Sequence, residues 1–257
     1  MKSNKIYIIL IAIILIFFVV MFLVFGLDEL RKEEYDSTII VGNDTVWTYK
    51  NKSWSNNTSY NSINWKKYDV YLNNEKNGNY YLWYSDKWYA FDDKKEAVLL
   101  DGDLLAIKSN YDISVYDFQD SDIDDYSYAY KMLEKNKIST NSLYTVNKKI
   151  ELDFDNDGNE ETFYIISNAF PMDFNPSKIF SIVFMVKNDK IYPIYTNISE
   201  NKGFNGCRPY FSGFIDVDNN SDYEFVLSCS QYSVKGISRM LYDFDGDKFK
   251  ILISNNK

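Results

Sequence analysis

Residues 153–161 read DFDNDGNEE, and residues 162–167 read TFYIIS. Carboxylates alternate at Asp153, Asp155 and Asp157, Gly158 follows, and Glu161 stands at the entrance to the apolar stretch. TFYIIS is rich in β-branched and aromatic residues, so the acidic run reads as a tight loop feeding a strand. Like charges this close repel unless they are dispersed in solvent or share a cation.

A second stretch repeats the arrangement. FIDVDNNSDYEFVLS (214–228) places Asp216, Asp218, Asn220, Asp222 and Glu224 at the same alternate positions before an apolar run. Each acidic loop and strand is followed by a hairpin pattern, SIVFMVKNDKIYPIY (181–195) in the first case and MLYDFDGDKFKILI (240–253) in the second. The unit returns after about sixty residues, a period typical of repeats built from small β-sheets.

With Asp153 as position one, Asp155, Asp157, Asn159 and Glu161 are positions three, five, seven and nine. Calcium takes about six to eight oxygens at roughly 2.3–2.6 Å. Side-chain oxygens at one, three, five and nine, with a main-chain carbonyl at seven, would supply them, and Gly158 permits the turn. In the second loop Asp216, Asp218, Asn220, Asp222 and Glu224 fill the same places, with Ser221 for the glycine and Asn220 for an aspartate. Its smaller ligand charge predicts weaker binding. This is not an EF-hand, because position twelve is Tyr164 and a strand, not a helix, follows. The competing reading is a solvated acidic turn. Asp245-Gly246-Asp247 has no later glutamate and reads as a plain hairpin turn.

D-x-D-x-D-G-x-x-E entering an apolar strand and recurring at this period resembles the FG-GAP/VCBS repeats of integrin-α-type β-propellers, over residues 145–257. The resemblance implies calcium held in a hairpin loop of each blade-like unit. Asp153, Asp155, Asp157 and Glu161 match its side-chain ligands and Asn159 its main-chain ligand. Asp216, Asp218 and Glu224 match in the second loop, with Asn220 as a substitute. It also implies extracellular recognition.

Residues 6–25 (IYIILIAIILIFFVVMFLVF) carry no charge, and at about 1.5 Å per residue they would span a hydrocarbon core of roughly 30 Å. The expected order is a cytoplasmic tail (1–5), a transmembrane signal anchor (6–26), a linker (27–37), an aromatic-rich β-meander (38–120), a helix (121–138) and the two-repeat β domain (139–257). The anchor makes the membrane a partner and sets the rest outside the cytoplasm, where Cys207 and Cys229 either pair or remain buried thiols.

TVWTYKNKSW (45–54) and YYLWYSDKWYAF (80–91) read as hairpins, like the two above. Their turns are expected at Asn51-Lys52, Asp86-Lys87, Asp189-Lys190 and Asp247-Lys248. SDIDDYSYAYKMLEKNK (121–137) reads as a helix capped by Ser121, with Ile123, Tyr126, Tyr130 and Leu133 on one face. The fold class is therefore mainly β: a transmembrane helix, then an antiparallel β ectodomain with one helix.

The net charge of −9 disfavours nucleic acid and anionic surfaces as partners. The absence of histidine removes histidine-based triads and zinc sites. All five tryptophans (Trp47, Trp54, Trp65, Trp83, Trp88) lie in the meander, where they form an apolar sheet face or, if exposed, stack on sugars. No nucleophile or cofactor motif is found, so no enzyme activity is expected. The expected function is a calcium-stabilised binding or adhesion module with a protein or glycan ligand. A structural envelope protein and a paired-carboxylate glycosidase are the alternatives.

Overall fold

Among the described residues, three antiparallel sheets hold almost all of the regular structure. The first contains β1 (Ser37–Val41), β2 (Thr45–Lys50), β3 (Ser53–Ser55), β4 (Lys66–Leu72), β5 (Glu75–Tyr84), β6 (Trp88–Phe91), β7 (Ala97–Val98) and β8 (Leu104–Ser109), in the order β3-β2-β1-β8-β4-β5-β6-β7. The second runs β10-β11-β12-β13-β14, with β10 at Ser121–Asp122, β11 at Val146–Leu152, β12 at Glu161–Ser167, β13 at Ile179–Lys187 and β14 at Lys190–Ser199. The third runs β18-β17-β16-β15-β9, with β9 at Val115–Tyr116, β15 at Cys207–Ile215, β16 at Glu224–Gln231, β17 at Ile237–Phe244 and β18 at Phe249–Asn255. This computed structural model describes residues 36–255 apart from 57, 112, 143, 170–177, 201–205, 218 and 232–235.

The third sheet is the middle layer. Phe225, Leu227 and Cys229 on β16 alternate with Val226, and the two sets bury on opposite faces. On one face Phe214, Phe225, Leu227, Met240 and Tyr242 meet Ile150, Phe163, Ile165, Val183 and Met185 of the second sheet. On the other, Ile215, Val226 and Leu241 meet Ile39, Val41, Trp47, Leu105 and Ile107 of the first. Gly213 sits at that second contact, where a Cβ would lie 2.7 Å from Leu105 Cδ2. The period-two pattern thus has both phases apolar, as in strands covered on both sides.

The second sheet is also covered twice. Phe163 and Ile165 of β12 face the third sheet, while Tyr164 and Ile166 meet the helix Ser127–Lys135 through Ala129, Met132 and Leu133. That helix is shorter than the sequence predicts. Ser121 is not its cap, because Ser121–Asp122 pairs with Lys148–Lys149 as β10. Tyr130 is 42% exposed, and the packed face runs through Ala129 and Met132 instead.

Four hairpins form where expected, with one turn displaced. Asn51-Lys52 has φ of +53° and +61°, the left-handed pair of a type I′ turn. In the β13–β14 hairpin the left-handed pair is Asn188-Asp189 (+50° and +62°) and Lys187 pairs with Lys190, one residue earlier than predicted. The sequence reading also missed Asn73-Asn74, which turns β4 into β5 with the same geometry (+51° and +71°). Cys207 and Cys229, on the adjacent strands β15 and β16, form a buried disulfide with Cα atoms 5.4 Å apart.

The expected membrane anchor is corrected. Among the described residues no helix is long and apolar enough to cross a membrane, the two helices having four and nine residues. Residues 6–25, which carried that expectation, lie outside the described residues. Among the described residues the fold class is mainly β with antiparallel sheets, and no transmembrane helix is among them. The placement outside the cytoplasm derived from it falls with it.

Candidate functional site

The two acidic loops have the same internal hydrogen-bond set. In the first, Asp153 accepts the backbone N–H groups of Asp157 and Gly158 at 3.0 Å each. Asp157 accepts that of Asn159 at 2.9 Å, and Glu161 accepts that of Phe154 at 2.9 Å. In the second, Asp216 accepts Asn220 and Ser221, Asn220 accepts Asp222, and Glu224 accepts Val217, at 2.7–3.1 Å. Position four is left-handed in both (Asn156 +51°, Asn219 +58°), and so is position six (Gly158 +88°, Ser221 +77°). The spacing seen in the sequence is therefore one loop conformation used twice.

Position two anchors each loop to a different core. Phe154 is buried between the second and third sheets, and Val217 between the third and first. The closing glutamates, Glu161 and Glu224, are 1% and 3% exposed and hold those anchors by their backbone N–H groups. The loops also touch, since the Tyr223 N–H donates to the Phe154 carbonyl at 3.1 Å. A cavity of about 350 Å³ lies beside this junction, lined by Asp155, Asp222, Asp243 and Asp245 among others.

Ligand atoms of Asp153, Asp155 and Glu161 all lie within 4.8 Å of one another, the one such group among the described residues. Asn159 is exposed and its side-chain amide donates to Asp157 at 2.9 Å. In the second loop Asp216, Asn220, Asp222 and Glu224 take their expected places around the turn, and Asp218 lies outside the described residues.

The sequence reading missed Lys187. From the end of β13 its Nζ reaches Asp155 at 2.6 Å, Asp157 at 2.7 Å and Glu161 at 2.8 Å. Burial opposes its charge, but the hydrogen bonds to these three carboxylates outweigh that and raise it above the ordinary lysine value. The contact with Lys187, helped by Asn159, lowers Asp157 to about 2. Burial pushes Glu161 up, against the pull of Lys187 and the Phe154 N–H. Lysines close to hairpin turns were visible in the sequence, but nothing tied this one to a loop some thirty residues earlier.

The donor set suits a hard cation: all oxygen, mostly carboxylate. One ammonium does not neutralise four carboxylates, and Asp155 Oδ1 is buried with no hydrogen-bond partner. Both observations fit a further cation held by Asp153, Asp155 and Glu161. Comparison of the chain with family models, curated proteins and solved structures finds no match in any of the three.

Proposed function

We propose that this β-fold is a non-catalytic binding or adhesion module whose loop 153–161 takes a divalent cation as a structural clamp. The observation that carries the reading is the shared loop: one hydrogen-bond set used twice, the first copy gathering Asp153, Asp155 and Glu161. Calcium is the ion proposed, because the donors are carboxylate and amide oxygens in a short flexible loop. The FG-GAP/VCBS resemblance supports it, since those repeats place calcium at the same positions. The cation would relieve repulsion at the mouth of β12 and fix Phe154 in the core. Its removal would loosen the joint between the second and third sheets without ending any chemistry. The second loop is the weaker candidate, with Asn220 and Ser221 replacing an aspartate and the glycine.

Lys187 favours a second reading, a loop clamped permanently by its own ammonium with no metal. Thermal melts separate the two. On the first reading, millimolar calcium raises the melting temperature above that in chelator, and Asp155→Ala combined with Asp157→Ala removes most of the rise. A melting temperature indifferent to calcium leaves the ammonium as the only clamp.

A further inference from the structure

We infer that the outer face of β5 and β6 is a binding platform for a neutral glycan chain. The inference names a ligand class for the module proposed above and rests on that reading. Leu82, Trp88 and Ala90 point into the core of the first sheet, so the alternate residues Tyr81, Trp83, Tyr89 and Phe91 share the opposite face, where they are partly exposed. Cross-strand pairing sets Tyr81 beside Phe91 and Trp83 beside Tyr89. Trp65 joins them from the start of β4. Its ring lies 4.9 Å from Phe91 and 6.3 Å from Trp83 by centroid, and Trp83 lies 5.6 Å from Tyr89.

Trp65 shows that this surface is built at a cost. It is 53% exposed and its backbone stands at φ +58°, the left-handed region that bulky residues avoid. The left-handed turn itself ends the short helix Tyr60–Ile63 after its Asn64 cap, but glycine or asparagine is usual at that place, and here a large apolar ring is held in water instead.

The charges around the rings identify the occupant. Lys67 is paired with Asp93 at 2.6 Å, and Asp86 accepts the Tyr89 hydroxyl at 3.1 Å, so the rim is polar and locally balanced. The chain's net charge of −9 repels polyanions, which removes nucleic acid and acidic polysaccharides. A pyranose presents an apolar C–H face to an aromatic ring and hydroxyls to a polar rim, and rings whose centroids lie 4.9–6.3 Å apart touch one another and form one continuous apolar surface for it. A cleft of about 730 Å³ adjoins the platform at Tyr89 and has Asn43, Asp44, Asp103 and Arg239 in its wall. Arg239 is 4% exposed and its guanidinium is already held by Asp44 and Thr45, so Asn43 and Asp103 are the polar groups of this wall offered to a ligand. Amide and carboxylate groups are partners that sugar hydroxyls take.

The test is native affinity electrophoresis of the full chain through gels carrying neutral polysaccharides (soluble cellulose derivative, mannan, xylan), with tryptophan fluorescence titrated by the matching oligosaccharides. At least one polymer should retard the protein. Trp65→Ala and Trp83→Ala should each weaken binding tenfold or more, and Tyr130→Ala, an exposed ring on the helix, should leave it unchanged. Retardation by none of the three, or undiminished binding by Trp65→Ala, overturns the inference. So does a dimer in sedimentation that Trp65→Ala converts to monomer, which would make the platform a contact between copies. A calcium-dependent melting temperature in the same samples tells failure of the glycan site from failure of the module's cation reading.

Discussion

Lys187→Met deletes one charge and keeps an aliphatic stem of similar length, so it isolates the ammonium from the packing around it. In the wild type that ammonium serves three carboxylates, one of them Glu161, whose side chain is 1% exposed against 15% for Lys187 itself. Removing one partner of a buried ion pair costs about 3–5 kcal/mol. The side chains of Asp155 and Asp157 are 25% and 38% exposed, so water softens their share and the expected loss is at the low end, about 3 kcal/mol. For a domain of this size that lowers the melting temperature in chelator by about 6–12 °C. If a divalent cation uses the same carboxylates, the substitution also removes its competitor. Calcium should then bind the variant at least about tenfold more tightly than the wild type, a gain of roughly 1.4 kcal/mol, and should restore most of the lost stability. Differential scanning calorimetry with and without calcium, together with isothermal titration, measures both effects. A variant that melts with the wild type in chelator would refute the clamp. A destabilised variant that calcium neither binds more tightly nor rescues would refute the shared site.

Three further outcomes follow from other contacts. The folded-state carboxyl of Asp157 is lowered to about 2, so its stabilisation is complete above the ordinary carboxylate value and lost as pH falls toward about 2; melts of Asp157→Asn should lose that acid-side slope. Replacing Cys207 and Cys229 together by serine opens the loop closed over 22 residues and should cost about 3 kcal/mol in urea unfolding. Gly213→Ala drives a methyl group toward Leu105 and should cost about 1–3 kcal/mol, with a less-than-additive loss when combined with Leu105→Ala.

The acidic loops were legible in the sequence because their geometry is local. Asp153 and Glu161 bond to backbone groups within seven positions, so spacing alone identified the turn, its glycine and its closing acid. The hairpins were legible for the same reason, although Asn-Lys and Asp-Lys pairs did not show which two residues take the left-handed conformation in β13–β14. Ser121 carried a helix-cap signal that its pairing with β11 overrode. Lys187 was not legible, since only the pairing of β12 with β13 brings it over the loop. Nor was the order of the layers, because an apolar run of strand residues says that both faces are covered and not by what. The aromatic meander showed five tryptophans, and only the strand register separates buried Trp47 and Trp88 from Trp65 and Trp83.

The sheet that both others lean on is made almost entirely from residues 207–255, which leave the ribosome after the strands of both other sheets. Until they emerge, Ile39, Trp47 and Ile107 on one side and Phe163, Ile165 and Val183 on the other have no wall to close against. A nascent chain stopped short of Cys207 would hold two bare hydrophobic surfaces, each suited to sticking to a neighbour. Folding of the three sheets is thus timed by residues 207–255, and truncation before them should produce aggregates instead of a smaller working fragment.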